Sequence, residues 1–291
     1  MDSAHRPVLV HEVVELMANK RLVIDATTGA GGHAEALLES GVERVIGLDR
    51  DATALEEAST RLGRFGDRFK PVQSKFSRLA EASRSAGAEE AGGVLFDLGV
   101  SSMQLDRPSR GFSYRSEGPL DMRMGEDDDL TAADVVNTYS EEALVGLISE
   151  FGEERFAGRI ASAIVRARSR KPIASTSELS AIVAGAVPRR RKGAHPARRT
   201  FQAIRVEVNR ELEELTASLP QAVSILEPMG RLVVISYHSL EDRIVKRFLR
   251  EADRISILTP KPMRPREAER AANPRARSAR LRAAERGGEA A

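Results

Sequence analysis

Cysteine is absent from the 291-residue chain, which removes disulfides, thiolate metal sites and a cysteine nucleophile together. Long apolar runs are missing as well. The first seventeen residues contain His5, Arg6, His11, Glu12 and Glu15, so they lack the unbroken hydrophobic block of a secretory signal, and no later stretch reaches membrane-spanning length. A cytoplasmic protein with no membrane segment is the expectation. The five histidines stand at positions 5, 11, 33, 195 and 238, with no spacing that pairs metal ligands, so no metal is expected to take part. No internal repeat is visible. A large net charge is also lacking, since 45 Lys and Arg face 43 Asp and Glu, but the distribution is uneven. Ala186 to Thr200 carries six cations and no acid, Arg264 to Ala291 eight arginines against four glutamates, and Glu126 to Asp134 is acidic. Cation clusters of this kind either neutralise phosphates or form solvated faces and frayed tails.

What is present is ordinary folding material. Hydrophobic residues make up 41% and charged residues 30%, far from disordered composition, and the length suits one large domain or two. Arg21 to Asp25 is a β-branched run ending in an acid. It leads into the glycine-rich Ala26-Thr-Thr-Gly-Ala-Gly-Gly-His33 and a helical pattern over Ala34 to Leu38. Arg44 to Asp49 reads as a second strand, with Asp51 placed to cap the helix that follows. Phe69 to Gln73 is a weaker third strand, Gly93 to Asp97 a fourth and Arg231 to Ser236 a fifth. Strands alternating with helices imply a parallel sheet covered on both faces, a doubly wound α/β fold. One crossover needs about 30 residues, yet Asp97 and Arg231 lie more than 130 apart. A helical insertion from Asp106 to Thr200 fills the gap, with helices over Ala132 to Tyr139, Glu141 to Phe151, Arg155 to Arg168 and Ser177 to Val187. Ser175, Thr176 or Ser177 is placed to cap the last of these. Phe201 to Leu226 supplies the crossover helices that return to the sheet, and Ser239 with Asp242 three residues on predicts the start of another helix.

Glycines 29, 31 and 32 permit a sharp turn and close approach of a ligand, while the next helix offers free amides. Asp49, twenty residues after Gly29, ends the following strand, where a carboxylate binds ribose hydroxyls. Dinucleotides and S-adenosylmethionine share this geometry. The loop does not spell G-x-G-x-x-G, and Asp25 beside it suits the ammonium of a methionine moiety better than a pyrophosphate. Loop chemistry thus favours the methyl donor, with Asp25 and Gly29 as loop supports, and leaves a dehydrogenase as a more distant alternative.

Six segments carry a resemblance beyond this pattern. They are Asp25 to His33, Phe96-Asp-Leu-Gly-Val-Ser-Ser102, Arg110 to Tyr114 with Gly118 to Met124, His195-Pro-Ala-Arg-Arg-Thr-Phe-Gln202, Ser236-Tyr-His-Ser-Leu-Glu-Asp-Arg243 and Asn273 to Ser278. In order and over nearly the whole chain they resemble the bacterial ribosomal RNA small subunit methyltransferase H family. The resemblance implies a Rossmann-like class I methyltransferase core with a parallel-rich sheet and an inserted all-helical domain that helps recognise RNA. The core is expected over 1–105 and 201–291, the latter with a basic C-terminal segment, and the insertion over 106–200. It further implies N4-methylation of a cytidine in the decoding region of 16S ribosomal RNA, S-adenosylmethionine as cofactor, and the small-subunit RNA or subunit as partner. A monomer and a homodimer are both compatible with it. Carried over by position, Gly31, Gly32 and His33 line the cofactor in the loop, Asp49 holds the ribose, and Phe76 lies beside the adenine. Asp97 and Gln104 complete the set. A core role is the alternative for Phe76.

Methyl transfer from a sulfonium is an in-line displacement limited by alignment and desolvation. The exocyclic amine of cytosine is a poor nucleophile because its lone pair is conjugated with the ring. Acceptors around its hydrogens localise that pair, and Asp97 with the carbonyls of Leu98 to Val100 stands where such acceptors belong. Many amino-group methyltransferases carry Asp-Pro-Pro-Tyr at this strand end. Here Asp97-Leu-Gly-Val keeps the acid but loses the stacking aromatic. Tyr237, Phe112 and Tyr114 are candidates to sandwich the base, with packing or loop anchoring as the alternative for each. His238 either orients the base or accepts a proton, with a helix-entry residue hydrogen-bonded to backbone as the alternative. Without a cysteine, methylation of pyrimidine carbon 5 through a thiol adduct is excluded. Arg189, Arg190, Arg191 and Lys192, with Arg198 and Arg199, are the RNA-binding candidates. The Met122, Arg123 and Met124 loop and Arg275, Arg277, Arg280 and Arg282 are secondary ones, although Ser278 to Ala283 alternates like a final edge strand. A paired cytidine must be flipped or unpaired to react. A DNA or protein methyltransferase and a non-catalytic RNA-binding protein are the rival readings that the fold alone permits.

Overall fold

The computed structural model describes residues 7–125, 128–188 and 195–288. The chain divides into two compact units, Met1–Ser101 with Leu212–Ala291, and Ser102–Glu211. The expected boundaries at 106 and 200 therefore fall inside the second unit, which also takes in a helix assigned from sequence to the core.

The strands of the first unit are β1 (Leu22–Asp25), β2 (Arg44–Asp49), β3 (Phe69–Gln73), β4 (Ala91–Asp97), β5 (Leu226–Ser236), β6 (Ile255–Ile257) and β7 (Arg280–Arg286). Among the described residues they form one sheet in the order β3-β2-β1-β4-β5-β7-β6. The first five run parallel, whereas β7 is antiparallel to β5, and β6 to β7. The sheet is thus parallel-rich, as the resemblance implies, with an antiparallel pair at one side that the strand-helix alternation alone does not announce. The final strand is not an edge either, because the three-residue β6, too short for its alternation to mark a strand, lies outside it.

Helices α1 (Val10–Leu16), α2 (Gly32–Glu39), α3 (Ala52–Leu62) and α4 (Leu79–Ser85) precede the second unit. Within that unit lie α5 (Ser102–Asp106), α6 (Ala132–Thr138), α7 (Glu141–Glu150), α8 (Ala157–Arg168), α9 (Thr176–Ala186) and α10 (Arg198–Asn209). Then follow α11 (Glu211–Ser224), α12 (Ser239–Glu251) and α13 (Glu267–Ala272). Successive side chains of a strand point to opposite faces, and the core divides accordingly. Val23, Val45, Leu95 and Val233 pack with Val13, Leu37, Ala58 and Leu62 of α1, α2 and α3. Ile24, Ile46, Val94 and Val234 pack with Leu79, Leu215, Leu219, Val245 and Leu249 of α4, α11 and α12. Helices cover both faces, as the alternation requires.

In the second unit local sequence sets the helix starts. Thr131 forms a reciprocal cap with Asp134, Ser140 caps α7 and Ser175 caps α9 by accepting the Glu178 N–H. Phe201, Ile204 and Val208 are buried on α10, which packs on α6 and α7 and so is not a crossover helix. Its last residue, Asn209, accepts the Met124 N–H at 2.7 Å and donates to the Met122 carbonyl at 2.8 Å. These bonds fix a loop in which Met122 is buried at φ 61°. No helix of the described residues is long and apolar enough to cross a membrane.

Among the cations of the tail, Arg282 and Arg280 of β7 reach Asp242 of α12 at 2.7 and 3.2 Å. They join the helix behind β5 to the sheet, so neither is a free RNA contact. Removing the carboxylate leaves two guanidiniums in poorly hydrated surroundings. Asp242→Ala should destabilise the first unit by about 2–4 kcal/mol, read as a lower denaturant midpoint in urea unfolding followed by circular dichroism.

Candidate active site

The parallel registers create the site. Asp25, the last residue of β1, is aligned with Gly47 of β2 and Leu95 of β4, so both neighbours run two residues further, to Asp49 and Asp97. The three carboxylates share the pleat parity of Val23, Val45 and Leu95 and therefore the side of the sheet that α2 covers. Strand order reverses at β1 and β4, the switch point where open α/β sheets bind ligands.

The glycine-rich turn closes over this notch. Thr28 donates its N–H to the Leu48 carbonyl at 2.9 Å and its hydroxyl to the Asp25 carbonyl at 3.0 Å. Gly47 makes room for this, since a Cβ there would stand 2.6 Å from Thr28 Oγ1 and 2.7 Å from the Phe69 ring. Gly31, at φ 80°, begins α2 with no side-chain cap. A Cβ on it would press to 3.0 Å from Leu62 of α3, so glycine serves both the turn and the packing. Asp49 Oδ2 accepts the Gly29 N–H at 2.8 Å and Oδ1 the Asp51 N–H at 2.9 Å. Burial nevertheless pushes its carboxyl above the ordinary 3.8, the two N–H bonds only partly offsetting this. Arg61, which sequence reading passed over, donates to the Ala30 carbonyl at 3.1 Å.

Asp25 is 1% exposed. Its Oδ1 accepts the Thr27 N–H at 3.3 Å, while Oδ2 is buried with no partner among the described residues. Burial drives its pKa from 3.8 to about 7, against the lowering influence of His33 and the Thr27 bond and with added repulsion from Asp97 and Asp49. His33, in the first turn of α2, places Nε2 3.3 Å from Asp97 Oδ2. Burial disfavours its charged form, but the Asp97 contact and the charges of Asp97 and Asp25 outweigh it and raise its pKa above 6.5. The other oxygen of Asp97 accepts the Tyr237 hydroxyl at 2.8 Å, and the Asp97 N–H donates to Thr27 Oγ1 at 2.6 Å. Burial first, then the charge and hydrogen bond of Asp97, hold the Tyr237 phenol well above 10. It stays a donor.

Tyr237 and His238 follow β5. The buried Glu241 of α12 accepts both of their N–H groups through Oε2, at 2.8 and 3.1 Å, and its own N–H donates to His238 Nδ1 at 3.4 Å. His238 is thus the cap of α12, a correction to the expected start at Ser239 with Asp242. A histidine cap is one frame earlier than the serine pattern that drew attention, which is why Glu241 was missed. Phe76 opens a short turn, half-buried, with its ring edge-on to Phe96 at 5.8 Å. Asp25, Gly29, Gly31, Gly32, His33, Asp49, Asp97, Tyr237 and His238 all belong to strand ends, loops and the first turn of α2 in the first unit.

Other expected residues lie in the second unit. Gln104 is buried there. Tyr114 stacks on His195 at 4.8 Å and meets Phe201 edge-on at 5.8 Å, so it packs within that unit, and Phe112 is buried. Arg123 is clamped by Asp121 at 3.0 and 2.8 Å. Arg199 donates to the Glu153 carbonyl at 2.8 Å, and Arg198 is exposed. Arg189, Arg190, Arg191 and Lys192 lie outside the described residues.

Comparison with known proteins follows this geometry closely in extent. Residues 2–287 match the MraW methylase family. A ribosomal RNA small subunit methyltransferase H from Carboxydothermus hydrogenoformans is 48% identical, covering 98% of each chain. A protein of the same name from Acidothermus cellulolyticus is 50% identical over 97% of this chain and 93% of its own.

The raised pKa of Asp25 has a definite sign for stability. Its folded-state value lies above the unfolded one, so the penalty of ionising it in the fold begins above pH 3.8 and is complete above about 7. Asp25→Asn, which keeps an acceptor for Thr27 without the charge, should raise the Tm of the ligand-free protein at pH 8. The gain should be smaller at pH 5 and vanish near pH 3, as followed by scanning calorimetry.

Proposed function

The chain belongs to the MraW methylase family, and from that premise we propose that it transfers a methyl group from S-adenosylmethionine to the exocyclic N4 amine of a cytidine in the decoding region of 16S ribosomal RNA. Near full-length similarity to proteins named ribosomal RNA small subunit methyltransferase H supports the substrate. The Asp97 carboxylate, gripped by His33 and Tyr237 beside the notch over β1, supports the chemistry.

The residues fit the donor. The buried, unpartnered Asp25 Oδ2 beside the glycine turn is suited to an ammonium, whose arrival offsets the cost of ionising that carboxylate. Asp49 retains lone pairs beyond its two N–H bonds for vicinal ribose hydroxyls, Gly31 and Gly32 let the backbone approach, and the half-buried face of Phe76 offers an apolar wall for a purine. When bound, S-adenosylmethionine supplies an electrophilic methyl group on a sulfonium.

The chain's own task is to hold and activate the amine. Asp97 accepts an N–H of the acceptor nitrogen with a lone pair not taken by His33 or Tyr237. It thereby draws the nitrogen lone pair out of conjugation and stabilises the positive charge that develops there. His33 and Tyr237 keep that carboxylate in one rotamer before the substrate arrives. The reacting nitrogen's proton leaves toward Asp97. His238, its Nδ1 taken by the Glu241 N–H and its Nε2 buried 3.0 Å from Glu241 Oε1, positions Tyr237 from the helix start. We assign RNA recognition to the helical unit, with Arg189, Arg190, Arg191, Lys192, Arg198 and Arg199 as phosphate contacts.

Mass spectrometry of small-subunit RNA should show an N4-methylcytidine that disappears in cells lacking the protein and returns on complementation. An unchanged nucleoside profile would rule the assignment out. With purified protein, Asp97→Asn should lower kcat by about 10²–10³. Tyr237→Phe should lower it by about tenfold, with the donor Kd changed less than either rate, as measured by tritium transfer and calorimetry.

A further inference from the structure

Several guanidiniums of this protein are held by carboxylates. Arg205 is paired with Glu211 at 2.6 Å, Arg231 with Glu285 at 3.0 Å, and Arg280 and Arg282 with Asp242. Helix α8 departs from this habit. From Arg155 to Lys171 the sequence holds six cations and no acid. Arg168 is used internally, donating to the Val136 and Tyr139 carbonyls, and Arg155 lies over the Phe156 ring at 4.5 Å.

Arg159 and Arg166 are different. Both are exposed and seven residues apart, so they rise from one side of the helix about 10 Å from each other along its axis. Together with Ser162 between them, and with Gly158, Gly185 and Ala186, they line a groove of about 420 Å³. Small residues floor it: a Cβ at Gly158 or Gly185 would meet nothing within 4 Å. Arg159 makes no ion pair or hydrogen bond among the described residues. Arg166 donates only to Ser162 Oγ, at 2.6 Å. That bond steadies the guanidinium over the groove and leaves the serine O–H free to donate.

We propose that the α8–α9 groove is a phosphodiester-binding site for the RNA backbone, with Arg159 and Arg166 each neutralising a phosphate and the Ser162 hydroxyl donating to the phosphate held by Arg166. Its residues are other than the RNA contacts assigned above, and the inference rests on the RNA-methylating reading. Two forked donors over a glycine-lined floor match phosphate oxygens in number and geometry. An acidic side chain in the groove would oppose this, and none lines it.

The test measures binding of a fluorescent small-subunit RNA fragment by anisotropy across a salt series, beside S-adenosylmethionine binding by calorimetry and methyl transfer to the same RNA. Arg159→Gln with Arg166→Gln should weaken RNA binding about tenfold near 0.15 M salt and flatten the log–log salt slope by about 1.5. Donor affinity and melting temperature should stay at wild-type values. Arg159→Lys with Arg166→Lys should restore the slope. Arg247→Gln with Arg250→Gln, which removes the same charge from α12, should have little effect. Wild-type affinity and slope in the α8 glutamine variant, with methyl transfer intact, would overturn the groove while leaving the enzymatic reading standing. An equal loss in the α12 variant would also overturn it, as a net-charge effect. A wild-type protein that binds donor but neither binds nor methylates the RNA would overturn both.

Discussion

The early end of β1 governs the chemistry of this molecule. Because its neighbours run two residues further, a notch opens at the switch point and three aspartates converge around it. Three buried or half-buried carboxylates so close together are costly in an interior of low dielectric. The fold meets the cost with backbone N–H groups at Asp49, with His33 and Tyr237 at Asp97, and with nothing at Asp25 Oδ2. On the reading proposed above, a cation bound beside Asp25 would repay that undischarged cost, so that stability is yielded where binding needs it, a common pattern at functional sites.

The same contrast between satisfied and unsatisfied charge organises the helical unit. Tyr139 donates to Glu207 at 2.7 Å, Arg123 is clamped by Asp121, and Asn209 fastens the loop before it. These groups hold the unit's shape. The exposed cations of α8 are left outside that network, and a surface that keeps like charges together without acids between them loses a little stability through self-repulsion. An anionic partner recovers it.

Much of the sheet could be read from sequence because β-branched runs ending in Asp25, Asp49 and Asp97 mark the parallel strands, and their helices carry clear apolar periodicity. The glycine turn was legible for the same reason, since few other sequences turn from strand to helix so tightly. The antiparallel side was not. β6 is only three residues long, Ile-Ser-Ile, too short for its alternation to mark a strand, and β7 pairs with a strand more than forty residues earlier, so local pattern gives no hint of its place between β5 and β6. The role of α10 was misjudged because its apolar stripe serves a helical core as well as it would serve a sheet. Within the site, the three aspartates and the loop were visible as motifs. The bonds among His33, Asp97 and Tyr237, and the capping role of Glu241, depend on strand ends that meet only in three dimensions.

Adjacent strands β4 and β5 are separated in the chain by the entire helical unit, and this shapes how the sheet can assemble. Closing a loop of that length costs entropy that grows only with the logarithm of its size, but the search for the pairing is slowed by the long sequence separation. Prior collapse of the inserted helices, whose contacts are mostly between neighbours in sequence, shortens the effective loop and relieves part of that delay. The central strand pair then depends kinetically on a segment that supplies none of its strands. A substitution confined to the helices can therefore slow completion of the sheet.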